Sequence, residues 1–242
     1  MKRDRKKPPK TGGYLGAKGG SGVYQTIIAA MPYHDLYIEA CLGSGVIMRE
    51  KPPVLVSLGC DSNIKTCQSF YDREGADRNR MIVMRYNVFE LIPLIERHPE
   101  GVLVYYDPPY PSWTRTGFNS HNYGEFEWSK TDHIKFLLAI KNSPAKAMVS
   151  TYPNDLYEEY LTPDRGWRYI DIPSMTHGGP RIERLYMNFP AGKPYHHKFA
   201  GKDFTDRQRI QRKAASAGRR FGNIDNEGER LAILAAMLAT YG

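Results

Sequence analysis

The sequence predicts a doubly wound α/β domain, a mostly parallel sheet with helices on both faces that ends in an antiparallel hairpin. Three observations carry this expectation. Apolar or β-branched runs alternate with stretches of helical spacing from Val23 to Leu161, the pattern of successive strand–helix units. Several of the runs, such as Val102–Tyr106, are continuously apolar, as strands covered on both faces should be. The last two runs, Trp167–Ile172 and Arg184–Phe189, have no long helical stretch between them, so a hairpin rather than a crossover closes the sheet.

Taken in order, Val23–Met31 has helical spacing and stops at Pro32, which cannot continue a helix. Leu36–Leu42 and Val54–Cys60 read as strands, Asn63–Arg73 as a helix, Met81–Tyr86 as a strand, Val88–His98 as a helix and Val102–Tyr106 as a strand. Thr131 is placed to cap a helix running from Asp132 to about Lys141, its hydroxyl accepting a free amide of the first turn. Ala145–Thr151 is a strand and Asp155–Leu161 a helix. From Lys193 the pattern changes to an aromatic and basic loop, a helix over Phe204–Ala217 and a last helix near Glu227–Thr240. The expected organisation is a disordered basic arm at 1–13, a body at 14–192 and a basic helical extension at 193–242.

At 242 residues, 41% hydrophobic and 25% charged, the chain can bury a sizeable core. No apolar run approaches the ~20 residues that a membrane helix needs, and the basic start lacks the apolar stretch of a signal peptide. Cys41, Cys60 and Cys67 are odd in number and lack metal-ligand spacing. Small core residues in a reducing cytoplasm fit them best, so no metal and no membrane are expected. The net charge of +8 is unevenly spread: seven Lys/Arg and one acid lie in residues 1–20, and nine Lys/Arg and two acids in residues 193–222. Two basic ends on a mildly acidic body point to a polyanion that the ends grip, or to no more than solvated tails.

In open α/β sheets ligands bind beyond the carboxyl ends of the strands, and three features fall there. The first is Glu39-Ala40-Cys41-Leu42-Gly43-Ser44-Gly45, whose glycines permit a tight turn and close backbone approach to a ligand, or an ordinary strand-to-helix turn. The second is Asp61, an acid that can accept hydrogen bonds from a ribose or cap the following helix. No third spaced glycine completes a phosphate-binding signature, which disfavours a nicotinamide cofactor. The third is Asp107-Pro108-Pro109-Tyr110. An aromatic exocyclic amine such as N6 of adenine donates its lone pair into the ring and is a poor nucleophile. A carboxylate and a backbone carbonyl, each accepting one N–H, can localise that lone pair toward an incoming methyl group. Asp107 supplies the carboxylate and Pro108 the carbonyl. Pro109 keeps the local chain stiff and extended, and Tyr110 offers a flat face for stacking on a base flipped out of a helix.

With these residues the sequence resembles the D12-class, Dam-like DNA adenine N6-methyltransferases, from about Tyr14 to Pro190. Asp107–Tyr110 matches the family's catalytic tetrapeptide, and the segment around Glu39, Cys41, Gly43 and Gly45 its cofactor motif. Tyr14 and Lys18 match an N-terminal element whose aromatic and lysine contact the cofactor, and Asp61 the acid on its ribose. Asp132-His133, Ser150-Thr151-Tyr152 and Glu183–Asn188 match later patterns. The resemblance implies a Rossmann-like fold with a seven-stranded sheet and S-adenosylmethionine as cofactor. It further implies methyl transfer to a flipped adenine in duplex DNA.

Two departures stand out. The family often has an acid after the third strand, where this sequence has Asn87, whose amide can still bond to the cofactor's adenine. Its members usually carry a target-recognition domain of roughly a hundred residues before the tetrapeptide, whereas only 45 residues separate Asp61 from Asp107. DNA contacts are therefore expected from two other places. One is the segment 111–130, with Trp113, Arg115, Asn119, Asn122 and Tyr123, which reads equally as a lid over the cofactor. The other is the basic extension, with Arg207, Arg212 and Lys213, which can meet phosphates without reading bases, so site-specific recognition is expected to be short or relaxed. The same tetrapeptide and basic ends would serve an RNA adenine methyltransferase. A non-catalytic nucleic-acid-binding protein of this fold is disfavoured by the intact Asp107. A protein glutamine methyltransferase is disfavoured because such relatives usually carry Asn at that position.

Overall fold

The computed structural model describes residues 18, 22–72, 79–115, 123–176 and 179–241. The expected basic arm 1–13 and the candidate residues Tyr14, Asn119 and Asn122 lie outside the described residues. The strands are β1 (Leu36–Glu39), β2 (Val56–Asp61), β3 (Met81–Arg85), β4 (Val102–Tyr106), β5 (Lys146–Thr151), β6 (Arg168–Thr176) and β7 (Gly179–Met187). The helices are α1 (Val23–Ala29), α2 (Val46–Glu50), α3 (Ile64–Phe70), α4 (Val88–Arg97), α5 (Lys130–Ile140), α6 (Asp155–Tyr160), α7 (Phe204–Gly222) and α8 (Glu227–Tyr241). Together the strands form one seven-stranded sheet in the order β3-β2-β1-β4-β5-β7-β6. Pairings among β3, β2, β1, β4 and β5 are parallel, while β7 runs antiparallel to both β5 and β6. This is the mostly parallel sheet with a terminal antiparallel hairpin that the sequence predicts.

The topology follows from the apolar pattern. All five residues of β4 are buried, because β4 lies inside the sheet with helices on both faces, and every one of its side chains meets core. A continuous cluster runs from Ile38 and Val104 through Leu91, Ile95, Phe136 and Ile140 to Trp167 and Tyr186. The order reverses between β1 and β4, which opens the switch-point crevice at the carboxyl ends of these neighbours.

Local chemistry moved several boundaries. β1 stops at Glu39 rather than Leu42, because the chain turns there to reach Gly43 and Gly45, both at positive φ (50° and 62°). The five-residue α2 between them and β2 is too short to show a period. Thr131 does not cap α5. Ser129 does, accepting the Asp132 N–H at 3.2 Å while Asp132 accepts the Ser129 N–H at 2.9 Å, a reciprocal capping box. The closing hairpin is longer than the apolar runs suggested, pairing Arg168–Thr176 with Gly179–Met187. Its polar half is carried by a cross-strand pair in which Arg184 donates to Asp171 at 2.7 and 2.9 Å.

Gly45 is where the turn is most demanding. A Cβ there would meet Phe70 Cε2 at 2.5 Å, at a φ that side chains rarely adopt. Gly45→Ala is therefore expected to destabilise by about 2–5 kcal/mol, combining left-handed strain with overpacking. Thermal denaturation checks this, and an unchanged Tm would show that the turn relaxes.

The chain divides into two compact units, residues 1–196 and 197–242. Tyr195 belongs to the first, its N–H donating to Met31 and its hydroxyl to Pro52. In the second, Asp203 caps α7 by accepting the Asp206 N–H at 2.8 Å. Along α8, Leu231, Leu234, Met237 and Leu238 are exposed. No helix among the described residues is long and apolar enough to cross a membrane.

Candidate active site

A cavity of about 830 Å³ opens at the carboxyl ends of β1, β2, β3 and β4. The β1 turn contributes Glu39–Ser44, the end of β2 Asp61–Asn63, the end of β3 Arg85, Asn87 and Phe89, and the end of β4 Asp107 and Pro109. The far wall is Tyr123–Trp128, with Asp132 at the start of α5. A volume in this range suits a ligand of nucleoside size or somewhat larger.

The structure brings Lys18, Glu39, Cys41, Gly43, Asp61, Asn87 and Asp107 together around this one space. The turn is held across strands: Asp61 accepts the Gly43 N–H at 3.0 Å and the Asn63 N–H at 2.8 Å. It is thus committed to backbone donors on both oxygens, and each keeps one further acceptor position. Burial raises the Asp61 carboxyl above the usual range. Glu39 is buried, accepting the Met48 N–H at 2.9 Å and the Tyr37 hydroxyl at 3.1 Å, and burial pushes its carboxyl up to about 8. Asn87 caps α4, its side-chain oxygen accepting the Phe89 N–H at 3.0 Å, which leaves its amide N–H groups for other partners. Gly45 packs behind the turn against Phe70. Burial also pushes the Cys41 thiol far up, so it is no nucleophile near neutral pH.

The centre of charge is at Asp107. Lys18 Nζ donates to Asp107 Oδ1 at 2.7 Å and lies 2.9 Å from Glu183 Oε1 on β7. The Lys18 side chain is 4% exposed, Glu183 9% and Asp107 18%, so the aspartate alone of the three keeps appreciable access. Burial raises the Asp107 carboxyl to about 6 against the opposing pull of Lys18. Pro108 is buried behind it.

Several expected contacts are placed elsewhere. Tyr110 does not present a stacking face: it is buried, its hydroxyl donates to Glu183, Lys18 lies 4.8 Å from its ring centroid and Tyr152 packs edge-on at 4.7 Å. In the aromatic segment Trp113 is half exposed and edge-on to His133 at 5.6 Å. Arg115 is spoken for by Glu127, with its guanidinium 5.5 Å from the Tyr123 ring, and Tyr123 itself donates its N–H to Glu127. Arg207 is 9% exposed and so is unsuited to a phosphate, whereas Arg212 and Lys213 are exposed. Sequence reasoning did not single out Glu183 as a site residue. It also passed over Arg85, Phe89 and Glu125, which line the cavity. Among the described residues no group of three or more His, Cys, Asp or Glu side chains could hold a metal ion.

No family model and no curated protein matches the sequence. Solved structures of similar chain path include an rRNA methylase from Streptococcus thermophilus, at 8% identity and a TM-score of 0.43, covering 69% of this chain and 94% of that one. The 23S rRNA methyltransferase ErmE superposes at 12% identity and a TM-score of 0.44, covering 72% and 69%. Likenesses this distant leave the reading of function to the residues of the site.

Proposed function

We propose that the chain is an S-adenosylmethionine-dependent methyltransferase acting on N6 of adenine in DNA. The observation that carries this reading is Asp107. It is a partly accessible carboxylate at the carboxyl end of β4, followed by two prolines, on the wall of the cavity that the Glu39–Gly45 turn and Asp61 also line. The donor and acceptor set fits the cofactor. Asp61 suits ribose hydroxyls, Glu39 an ammonium whose charge would draw its raised carboxyl back to the ionised form, Asn87 an adenine edge, and Val88, Phe89 and Phe126 its apolar faces. When bound, S-adenosylmethionine supplies an electrophilic methyl group on a sulfonium.

The protein's part is acceptance and orientation. Asp107 and the Pro108 carbonyl each take one N–H of the substrate amine, so its lone pair is withdrawn from the ring and aimed along one line. Lys18, held by its ion pairs, keeps Asp107 from swinging away. The wall at Tyr123–Trp128 bounds the cavity opposite the strand ends. With only 45 residues between Asp61 and Asp107, sequence reading by a separate recognition domain has no place there, and short or relaxed specificity follows. Exposed basic residues of α7 supply phosphate contacts.

The test is transfer of labelled methyl from S-adenosylmethionine to duplex DNA, single-stranded DNA, RNA and protein, followed by identification of the modified base. N6-methyladenine in DNA is the expected product. Label in RNA alone would transfer the reading to an RNA enzyme, and label nowhere would remove it. Cofactor binding is separable. Asp61→Ala is expected to weaken S-adenosylmethionine binding roughly 10- to 100-fold, the worth of a charge-assisted hydrogen bond, and to change DNA binding little. Calorimetry showing unchanged cofactor affinity would take Asp61 out of the site.

A further inference from the structure

We propose that Glu183 is a positioning residue of this active site, holding the Lys18 ammonium against Asp107 and thereby fixing both the placement and the charge of the carboxylate that meets the substrate amine. The inference rests on the reading of Asp107 as the amine's acceptor. Its geometry is internal to the protein. Lys18 Nζ is shared between Asp107 Oδ1 at 2.7 Å and Glu183 Oε1 at 2.9 Å. Glu183 is fixed in turn by the Tyr110 hydroxyl, which donates to the same Oε1.

The charge count argues for a role beyond stability. Lys18 with Asp107 alone would be a neutral buried pair. Adding Glu183 makes the cluster two carboxylates to one ammonium, and an excess buried charge costs folding energy unless it is compensated. Structural need alone would favour an uncharged partner at 183. What the second carboxylate does is divide the lysine's attraction, so that Asp107 is held in place without having its electron density fully drawn off. An acceptor of higher proton affinity withdraws an amine proton more effectively.

The ionisable groups facing Asp107 come from every surrounding element. They are Glu39 and Cys41 at the end of β1, Tyr105 and Tyr110 at the end of β4, Tyr152 after β5, Tyr157 on α6, Glu183 on β7, and Lys18. Burial raises the Asp107 carboxyl most; Lys18 lowers it and Glu183 raises it. Asp107 works ionised, so activity is present above its titration and lost as pH falls through it. Removing the negative charge at 183 lowers that titration, and the acid limb moves to lower pH.

The experiment compares wild type with Glu183→Gln in the full chain. The expected result is a kcat reduced roughly 10- to 100-fold, as for other residues that orient a reacting group. The KM for S-adenosylmethionine should stay within about twofold. The acid limb of kcat/KM, which reports the free enzyme, is expected near 6 in wild type and should move to lower pH in the variant. In ligand-free protein, the Asp107 carboxyl followed by 13C NMR should titrate lower in the variant. A lowered Tm with wild-type kcat, acid limb and carboxyl titration would make Glu183 merely structural and overturn the proposal. If Glu183→Gln does not fold, Glu183→Asp keeps the charge and withdraws it by one methylene. It should lower kcat while leaving the acid limb in place, and wild-type kcat there would equally overturn the proposal. If the wild-type protein methylates no nucleic acid, the functional reading falls, but the NMR titration still decides whether Glu183 controls Asp107.

Discussion

Asp107→Ala is expected to lower methyl transfer by at least roughly 10²–10³-fold, the loss seen when one preorganised partner of a reacting group is removed. The cofactor KM should change little, because the lost interaction is made to the amine. The protein should stay folded. Lys18 keeps Glu183 at 2.9 Å, so the deletion leaves a balanced buried pair and no orphaned charge. That distinguishes Asp107 from Lys18, whose removal would leave two carboxylates facing each other. Asp107→Asn retains an oxygen acceptor and should keep partial activity. It also removes the titrating group, so the acid limb near 6 should vanish from its pH profile, while wild type loses activity as pH falls through that value. Single-turnover rates across pH, with circular dichroism on each variant, check all three statements. Near-normal turnover by Asp107→Ala would end the proposed role of the tetrapeptide.

The fold was largely legible because its signal is local. β4 is apolar at every position and lies in the middle of the sheet, and Pro32 follows α1 closely. What was misread depends on single hydrogen bonds or on distant partners. Ser129 and Thr131 are both good capping residues two positions apart, and only the reciprocal bond with Asp132 selects Ser129. Tyr110 looks like a stacking platform in sequence, yet its ring and hydroxyl are consumed by Lys18, Tyr152 and Glu183. Glu183 sits 165 residues from Lys18 in the chain, and no periodicity announces a pairing of that span. The aspartate could be named from its neighbours Pro108, Pro109 and Tyr110, whereas its electrostatic setting could not. Arg207 looked like the rest of its basic run, and burial alone separates it from Arg212 and Lys213.

That separation makes the contribution of α7 testable. Arg212, Lys213, Arg219 and Arg220 are all exposed. On a helix Lys213 and Arg220 lie two turns apart on one line, and Arg212 and Arg219 two turns apart on a second line about 100° round the axis, a spacing that can follow a phosphate backbone. Replacing all four by Gln should leave Tm nearly unchanged, because Gln is almost as good a helix former and Arg212 donates only locally, to the Gln208 carbonyl one turn earlier in the same helix. DNA affinity should fall for all sequences alike. If each residue meets a phosphate, the log–log salt slope should shrink by about 0.9 per contact, and affinity at ~0.1 M salt should drop roughly 10³-fold. Sequence preference should hold, because phosphate contacts position the protein and do not read bases. Arg207→Gln is the contrasting variant. Its side chain is buried, so it should cost stability and leave the salt slope alone. Wild-type affinity and slope in the fourfold variant would exclude α7 as the grip. The phosphate contacts would then have to come from the basic residues before Lys18 or from the segment between Pro111 and Lys130, where loss of affinity and loss of sequence preference should appear together.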